Sequence, residues 1–564
     1  MRTRVSISPD VWKSTGWLLP ALGVSILTIA VLLTEKSVKD AWILQSILPA
    51  FVVFGILLGL GLMLGQSRLA EASAAIAVGL LAVVPSLKYG FVYGEFDSIG
   101  HYGTAFEILR TGSLTLSGKY GETYAGTPVL HILLATIALI AGIPTETAIV
   151  YVLFLEHFVV LVLVAESIRR IFPQIEMRTI IFISAVTLPV IFLITGTTFG
   201  LLPIAMLTYV FSTGVAREPK KRVLLTAVLM FSLVFSHFVT TVYFMTFLGG
   251  YAISLVVARL IAGSRGATRN HLIESVPFFF TFFILWLVYA GVDYIYATGD
   301  LISVFFLGSH VPPTTWEFPL TDVIQLFVFK YARLVFSVLL AVTTSSIALL
   351  RYRRTEAFAV FWWLLASSSL LGAIVVLGWN AETGWRFLAY ASLTTPYFLC
   401  LLISRLRNRF SVPDISRIRV INAMMLATLV LSMIAVYPMT PLYPESGGSP
   451  ILDDNSVNSI YAVTALEHFR HVYSSGPVIT SVRIKWQLFS LAPELIPLEY
   501  YVISADLENV TSPAELRGQL VLFDSGGRSG TATIAMRALT PQLRDTPHLD
   551  IVYSNSLFFI GLAT

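Results

Sequence analysis

The stretch that decides the fold of this chain is residues 91–112, FVYGEFDSIGHYGTAFEILRTG. It lies between two apolar runs and places Glu95, Asp97 and His101 within seven residues. Only 12% of the chain is charged, so a cluster of ionisable groups beside apolar segments carries information. Because an unpaired charge at the edge of a bilayer is costly to bury, such a cluster usually marks a functional site.

The composition indicates a polytopic membrane protein. Of the 564 residues, 56% are hydrophobic and 12% are charged, whereas about a quarter of the residues in soluble domains are charged. The net charge of +4 is too small to indicate a nucleic-acid-binding protein. The single cysteine, Cys400, excludes an intramolecular disulfide and a multi-cysteine metal site. We therefore expect a multi-pass protein of the cell membrane whose partners include membrane lipids and no nucleic acid.

Thirteen segments are apolar and close to the length of about 20 residues that a membrane-crossing helix needs. They are residues 16–33, 42–64, 70–87, 147–165, 179–195, 198–215, 222–240, 242–259, 274–292, 326–350, 356–378, 387–404 and 419–437. A shorter apolar segment, residues 128–143, is predicted to form an interfacial or re-entrant helix on the outer side of the membrane. With the N-terminus in the cytoplasm, this arrangement places 22 of the 30 Lys and Arg residues before residue 437 inside, as the positive-inside rule requires.

The composition changes after residue 437, where YPMTPLYPESGGSP has the character of a linker. Short hydrophobic segments at residues 476–482, 500–504, 520–524 and 549–553 predict strands, and residues 457–473 predict a helix. The expected fold is therefore an α-helical membrane domain over residues 1–437, with about 13 transmembrane helices. A small extracytoplasmic α/β domain over residues 438–564 follows it.

With this topology, the polar side chains outside the basic loops meet on the outer face, where residues 88–146 form the first large loop. Asp97 is the first candidate for a general base, since a carboxylate can accept the proton of an attacking group. Its structural alternative is a helix N-cap. Glu95 and His101 could join Asp97 around a Mg²⁺ or Mn²⁺ ion. Alternatively, His101 is a hydrogen-bonded interfacial histidine that orients a substrate.

A second set of candidates lies later in the chain. The outer loop at residues 379–386, WNAETGWR, contains one cation, Arg386, whose guanidinium matches a phosphate with two parallel hydrogen bonds. The alternative is an ion pair with Glu382, four residues earlier. His237 lies at the outer end of an apolar helix, where a lone histidine is more often structural than ligand-binding. Tyr102 and Trp385 complete the candidate substrate contacts.

Together these features resemble the GT-C superfamily of polyprenyl-phosphate-dependent glycosyltransferases. The resemblance rests on the acidic motif Glu95-Phe96-Asp97, the proline-led segment at residues 127–131 (TPVLH), the late Arg386 and the outer C-terminal domain. In that superfamily the acidic residue of the first loop is the catalytic base or a metal ligand. The resemblance therefore implies this role for Asp97, with Glu95 as a second member.

The resemblance extends to protein mannosyltransferases, aminoarabinose transferases and oligosaccharyltransferase catalytic subunits. The WWDYG motif of the last group is absent from the tail, so transfer of a single sugar is the preferred interpretation. The implied function is to move a sugar from a polyprenyl- or dolichyl-phosphate donor to a protein or glycan acceptor of the cell envelope, on the extracytoplasmic face.

Two alternative functions compete with this interpretation. An O-antigen ligase or polymerase also uses outer-loop arginine and histidine, but such proteins usually lack a sizeable C-terminal domain. A transporter of envelope precursors needs polar or broken helices near the midplane. At mid-depth the predicted spans are nearly free of ionisable groups apart from Glu156 and His157. Transport is therefore the less favoured function.

Overall fold

The computed structural model of this protein describes the parts of the chain to which all structural statements below refer. They are residues 16–33, 42–64, 68–89, 96–114, 127–188, 196–213, 219–238, 240–245, 248–249, 271–289, 346, 389–390, 392–409, 478–480, 502–503, 520–524, 549–554 and 558–563.

In these residues the longer elements are helices. They are α1 Leu18–Leu33, α2 Trp42–Leu64, α3 Arg68–Tyr89, α4 Phe96–Thr111, α5 Val129–Ala141, α6 Thr145–Ile171, α7 Met177–Thr187, α8 Gly196–Thr213, α9 Pro219–Val234, α10 His271–Tyr289 and α11 Thr395–Arg409.

Most of these helices coincide with predicted spans. The agreement is within a few residues for α1, α2, α3, α8 and α10; α6 and α9 are offset by up to six residues at one end, and α7 and α11 overlap their predicted spans in part. The predicted spans at residues 326–350, 356–378 and 419–437 lie outside, or almost outside, the described residues. In the part of the chain that the structure describes, α6 is the helix long and apolar enough to cross a bilayer by itself, and several others are shorter apolar helices. The total of thirteen spans stays a prediction.

Helix α6 is central to the packing because it contacts α3, α5, α7 and α8. Its buried side chains recur at helical spacing, as in Ile149, Leu153, Val160 and Val164. Leu153, Val160 and Val164 join an apolar core whose largest fully buried members include Phe54, Tyr243 and Tyr390.

The C-terminal residues form a five-stranded sheet of order β2-β1-β3-β5-β4. The strands are β1 Val478–Thr480, β2 Val502–Ile503, β3 Leu520–Asp524, β4 Leu549–Ser554 and β5 Phe558–Ala563. Strand β1 is parallel to β2 and β3, whereas β5 is antiparallel to β3 and β4. The four predicted strands are confirmed. The predicted helix at residues 457–473 lies outside the described residues, and the domain boundary at residue 437 stays a prediction.

Strand β5 was not predicted from the sequence. Its segment, FFIGLA, lacks the alternation of apolar and polar residues that marks a half-buried strand. Its pairing with β3 matches Leu520 to Leu562 and Leu522 to Ile560, across about 40 residues of chain. The strand is therefore formed by pairing with distant segments rather than by a local pattern.

Candidate functional site

Helix α4 contains Phe96 and Asp97 of the acidic motif. It begins at Phe96, so Asp97 lies in its first turn rather than before the helix as an N-cap. A carboxylate in a first turn is favoured by the positive end of the helix dipole. The helix ends at Thr111, and Gly112 follows with a φ of 66° and an N–H that donates to the Ile108 carbonyl at 2.9 Å.

Helix α5 is the helix that the sequence predicted beside this motif. It follows Pro128 and ends at Gly142, whose φ of 63° is the left-handed conformation that glycine adopts readily. Its buried face, Leu130, Leu134 and Ala138, repeats every four residues. This face packs against α4 and α6. The helix itself is confirmed, whereas its position at the membrane surface stays a prediction.

A pair of buried histidines joins the two helices. His101 Nδ1 and His131 Nε2 are 2.9 Å apart, and both side chains are fully buried. One ring therefore donates its N–H and the other accepts it. Burial holds the pKa of His131 well below its usual range, and the neighbouring His101 lowers that pKa further. His131 is thus neutral at physiological pH.

This pairing bears on the predicted Mg²⁺ or Mn²⁺ site. Within the described residues, no group of three His, Cys, Asp or Glu side chains stands close enough to hold a metal ion. His101 uses Nδ1 for His131, and Glu95 lies outside the described residues. The side chains of Glu95 and Asp97 lie outside those that the structure describes, so the Mg²⁺ or Mn²⁺ site stays a prediction.

Tyr102, the next residue of α4, contacts a different helix. Its hydroxyl donates to Glu146 Oε1 at 3.2 Å, and Glu146 lies in the first turn of α6. The apolar cluster around it joins α4, α5, α6 and α8 through Tyr102, Ala105, Leu130, Leu134, Ile149, Val152 and Phe199. These contacts give Tyr102 a structural role, and its predicted contact with substrate stays a prediction.

His237 lies just beyond the end of α9 and belongs to a second buried network. Its Nδ1 is 2.9 Å from Thr240 Oγ1, and that hydroxyl also bonds Tyr390 Oη. The backbone next to it is tied to α5, because the Phe235 carbonyl accepts from Val129 N–H at 3.2 Å. These contacts give His237 a structural role, and contact with substrate stays a prediction.

The remaining predicted contacts, Arg386, Glu382 and Trp385, lie outside the described residues, as does Glu95. Two residues of the site were not among the principal sequence candidates, His131 and Glu146. A signal for His131 was present, since a histidine within the apolar segment VLHILLATIALIA requires a hydrogen-bonding partner once it is buried.

One further polar feature lies inside α6. Glu156 is buried, and neither carboxylate oxygen has a hydrogen-bond partner among the described residues. His157 Nδ1 donates to the Leu153 carbonyl at 2.9 Å. Both side chains line a cavity of about 10 Å³, room for one water molecule, whose other walls are apolar.

Comparison with known proteins supports one fold. No protein-family model matches the chain, and no curated protein sequence matches it. The chain is similar to the crystal structure of apo ArnT from Cupriavidus metallidurans, with a TM-score of 0.50 and 12% identity over 88% of this chain and 97% of that one. For ArnT bound to undecaprenyl phosphate, the TM-score is 0.48 and the identity 11%, with the same coverage. At this identity the similarity to apo ArnT shows the fold alone, the GT-C fold of polytopic membrane proteins.

Proposed function

We propose that this protein is a membrane glycosyltransferase that moves a sugar from a polyprenyl- or dolichyl-phosphate donor to an acceptor on the extracytoplasmic face. The observation that carries the proposal is the position of Asp97 in the first turn of α4, within a chain that has the GT-C fold. The fold alone would not assign a reaction. The acidic first turn supplies the chemical group that glycosyl transfer requires.

Asp97 acts as the general base in this proposal. The acceptor oxygen or nitrogen attacks the anomeric carbon of the sugar and loses a proton to the Asp97 carboxylate. The bond between the anomeric carbon and the phosphate oxygen breaks, and the lipid phosphate leaves with the electron pair. A positioned base of this kind contributes about 10²–10⁴-fold to a rate.

Arg386 is proposed to bind the phosphate of the donor. Charge builds up on the phosphate oxygens as the bond to the sugar breaks, and a guanidinium offers two parallel hydrogen bonds to them. Trp385 and Glu382, in the same loop, are proposed to contact the donor beside it. The acceptor is proposed to be a protein or glycan of the cell envelope. The GT-C fold and the Asp97 position favour this function over an O-antigen ligase or polymerase.

The test is a sugar-transfer assay with the full-length protein in liposomes and a panel of polyprenyl-phosphate sugars. Undecaprenyl-phosphate sugars come first, because ArnT has been crystallised with that lipid. Wild-type protein should transfer sugar, and Asp97→Asn should lower kcat about 100-fold or more, since an amide cannot accept the proton. Glu107→Gln is the matched control, because it also replaces a carboxylate of α4 with an amide. This variant should keep kcat within a few-fold of wild type.

Two results would contradict the proposal. Folded Asp97→Asn protein with the kcat of the Glu107→Gln control would rule out Asp97 as the base. Wild-type protein that neither transfers sugar from any donor nor binds a polyprenyl phosphate would overturn the function itself.

A further inference from the structure

Helix α5 is held firmly enough to support its neighbour. At its start, Val129 N–H donates to the Phe235 carbonyl at 3.2 Å, which ties α5 to the segment that follows α9. Next to this contact, Leu130 and Leu134 are almost completely buried. His131 lies on this fixed face, fully buried, with Nε2 at 2.9 Å from His101 Nδ1.

Helix α4 receives two side-chain hydrogen bonds at consecutive positions, the first buried and the second partly buried. His101 is bonded to His131 of α5, and Tyr102 is bonded to Glu146 of α6. Consecutive helix positions are about 100° apart around the axis, so the two hydrogen bonds lie on different sides of α4. Together they fix the rotation of α4 about its axis.

The rotation of α4 determines where its first turn points. Positions 97 and 101 are four residues apart and therefore lie on the same face of the helix. A misplacement of about 1 Å at a reacting group can cost about 100-fold in rate. The support of His101 therefore restrains the helix backbone at position 97, one turn away.

We propose that His131 is a positioning residue for glycosyl transfer: its hydrogen bond to His101 holds α4 in the rotation that places Asp97 against the acceptor. This inference rests on the proposed function. His131 touches neither substrate nor the reacting atoms in this scheme. Its effect should therefore appear in kcat rather than in the KM for the donor.

The experiment compares His131→Leu, His131→Gln and a packing control, Leu134→Ala, in the liposome assay. Leu removes the hydrogen bond, whereas Gln retains an N–H donor and a carbonyl acceptor at similar reach. We expect His131→Leu to lower kcat about tenfold or more, with the KM for the donor within about twofold. His131→Gln should recover kcat to within about threefold of wild type, and Leu134→Ala should lower the melting temperature with little change in kcat.

A double-variant cycle with His101→Leu provides the second readout. Because both residues act through one hydrogen bond, the double variant should lose no more kcat than the more severe single variant. If His131→Leu does not fold, His131→Met replaces it, since methionine is of similar length and a weak hydrogen-bonding group.

The outcomes separate this inference from the proposed function. Wild-type protein with no transfer and no lipid binding overturns both. Suppose instead that wild-type protein transfers sugar and that His131→Leu, or its Met replacement, has a kcat no lower than that of Leu134→Ala. This result overturns the positioning role alone. Additive losses in the cycle also overturn it, because they show that the two histidines act independently.

Discussion

At the scale of single residues, the neutral state of His131 links folding to pH. Burial, with a contribution from His101, holds the pKa of His131 well below its ordinary value of 6.5. In the unfolded chain this histidine binds a proton near pH 6.5, whereas in the folded protein it does not. The contribution of neutral His131 to the free energy of unfolding is therefore fully present above about pH 6.5 and is lost as the pH falls below that value.

This linkage predicts a difference between wild type and His131→Gln in a stability–pH profile. Between about pH 7.5 and 5.5, the apparent melting temperature of wild-type protein in detergent should fall more steeply, because glutamine does not titrate. Thermal unfolding followed by intrinsic fluorescence measures both slopes. Parallel profiles would show that His131 titrates alike in the folded and unfolded states.

Arg386 provides a second prediction at this scale. Arg386→Lys keeps the charge but replaces the planar fork of donors with a single ammonium, so the donor phosphate loses a two-bond contact. We expect the KM for the lipid-phosphate donor to rise about tenfold, since a charge-assisted hydrogen bond contributes about 1.5–3 kcal/mol. Steady-state kinetics against donor concentration would measure it, and an unchanged KM would favour the alternative ion pair with Glu382.

At the scale of elements, α8 approaches the His237 network closely because residue 200 is glycine. A Cβ atom on Gly200 would lie 2.6 Å from Thr240 Cγ2 and 2.8 Å from Thr240 Cβ, and would also meet Oγ1. Thr240 cannot turn away freely, since Oγ1 bonds both His237 and Tyr390. The contact of α8 with this network therefore depends on the absence of a side chain at position 200.

Gly200→Ala should destabilise the protein by about 1–3 kcal/mol through overpacking. The matched control is Gly249→Ala, since a Cβ atom there meets no atom of the described residues within 4 Å. Alanine also favours a helix relative to glycine, so the control should be neutral or slightly stabilising. The measurement is the apparent melting temperature of each variant in the same detergent, which should be lower for Gly200→Ala than for Gly249→Ala. Equal melting temperatures would contradict the packing argument.

At the scale of the whole molecule, the predicted topology places the linker at residues 437–450 outside and the basic loop around residue 264 inside. The chain suits a cysteine-labelling test because its one cysteine, Cys400, is fully buried. In intact cells, a membrane-impermeant maleimide should label Ser446→Cys. It should label Ser264→Cys only after permeabilisation. The reverse pattern would show that the chain is inserted the other way round.

The sequence by itself determined the helical membrane class, most of the described helices and four strands. These features depend on apolar run length, local periodicity and composition, which are properties of neighbouring residues.

Only the tertiary structure decided which side chains meet. His101 pairs with His131 across 30 residues, Tyr102 with Glu146 across 44, and Thr240 with Tyr390 across 150. The sequence had grouped His101 with Glu95 and Asp97, its neighbours along the chain. Burial removed His101 from water and required a hydrogen-bonding partner, and packing of α5 against α4 supplied that partner from a distant segment.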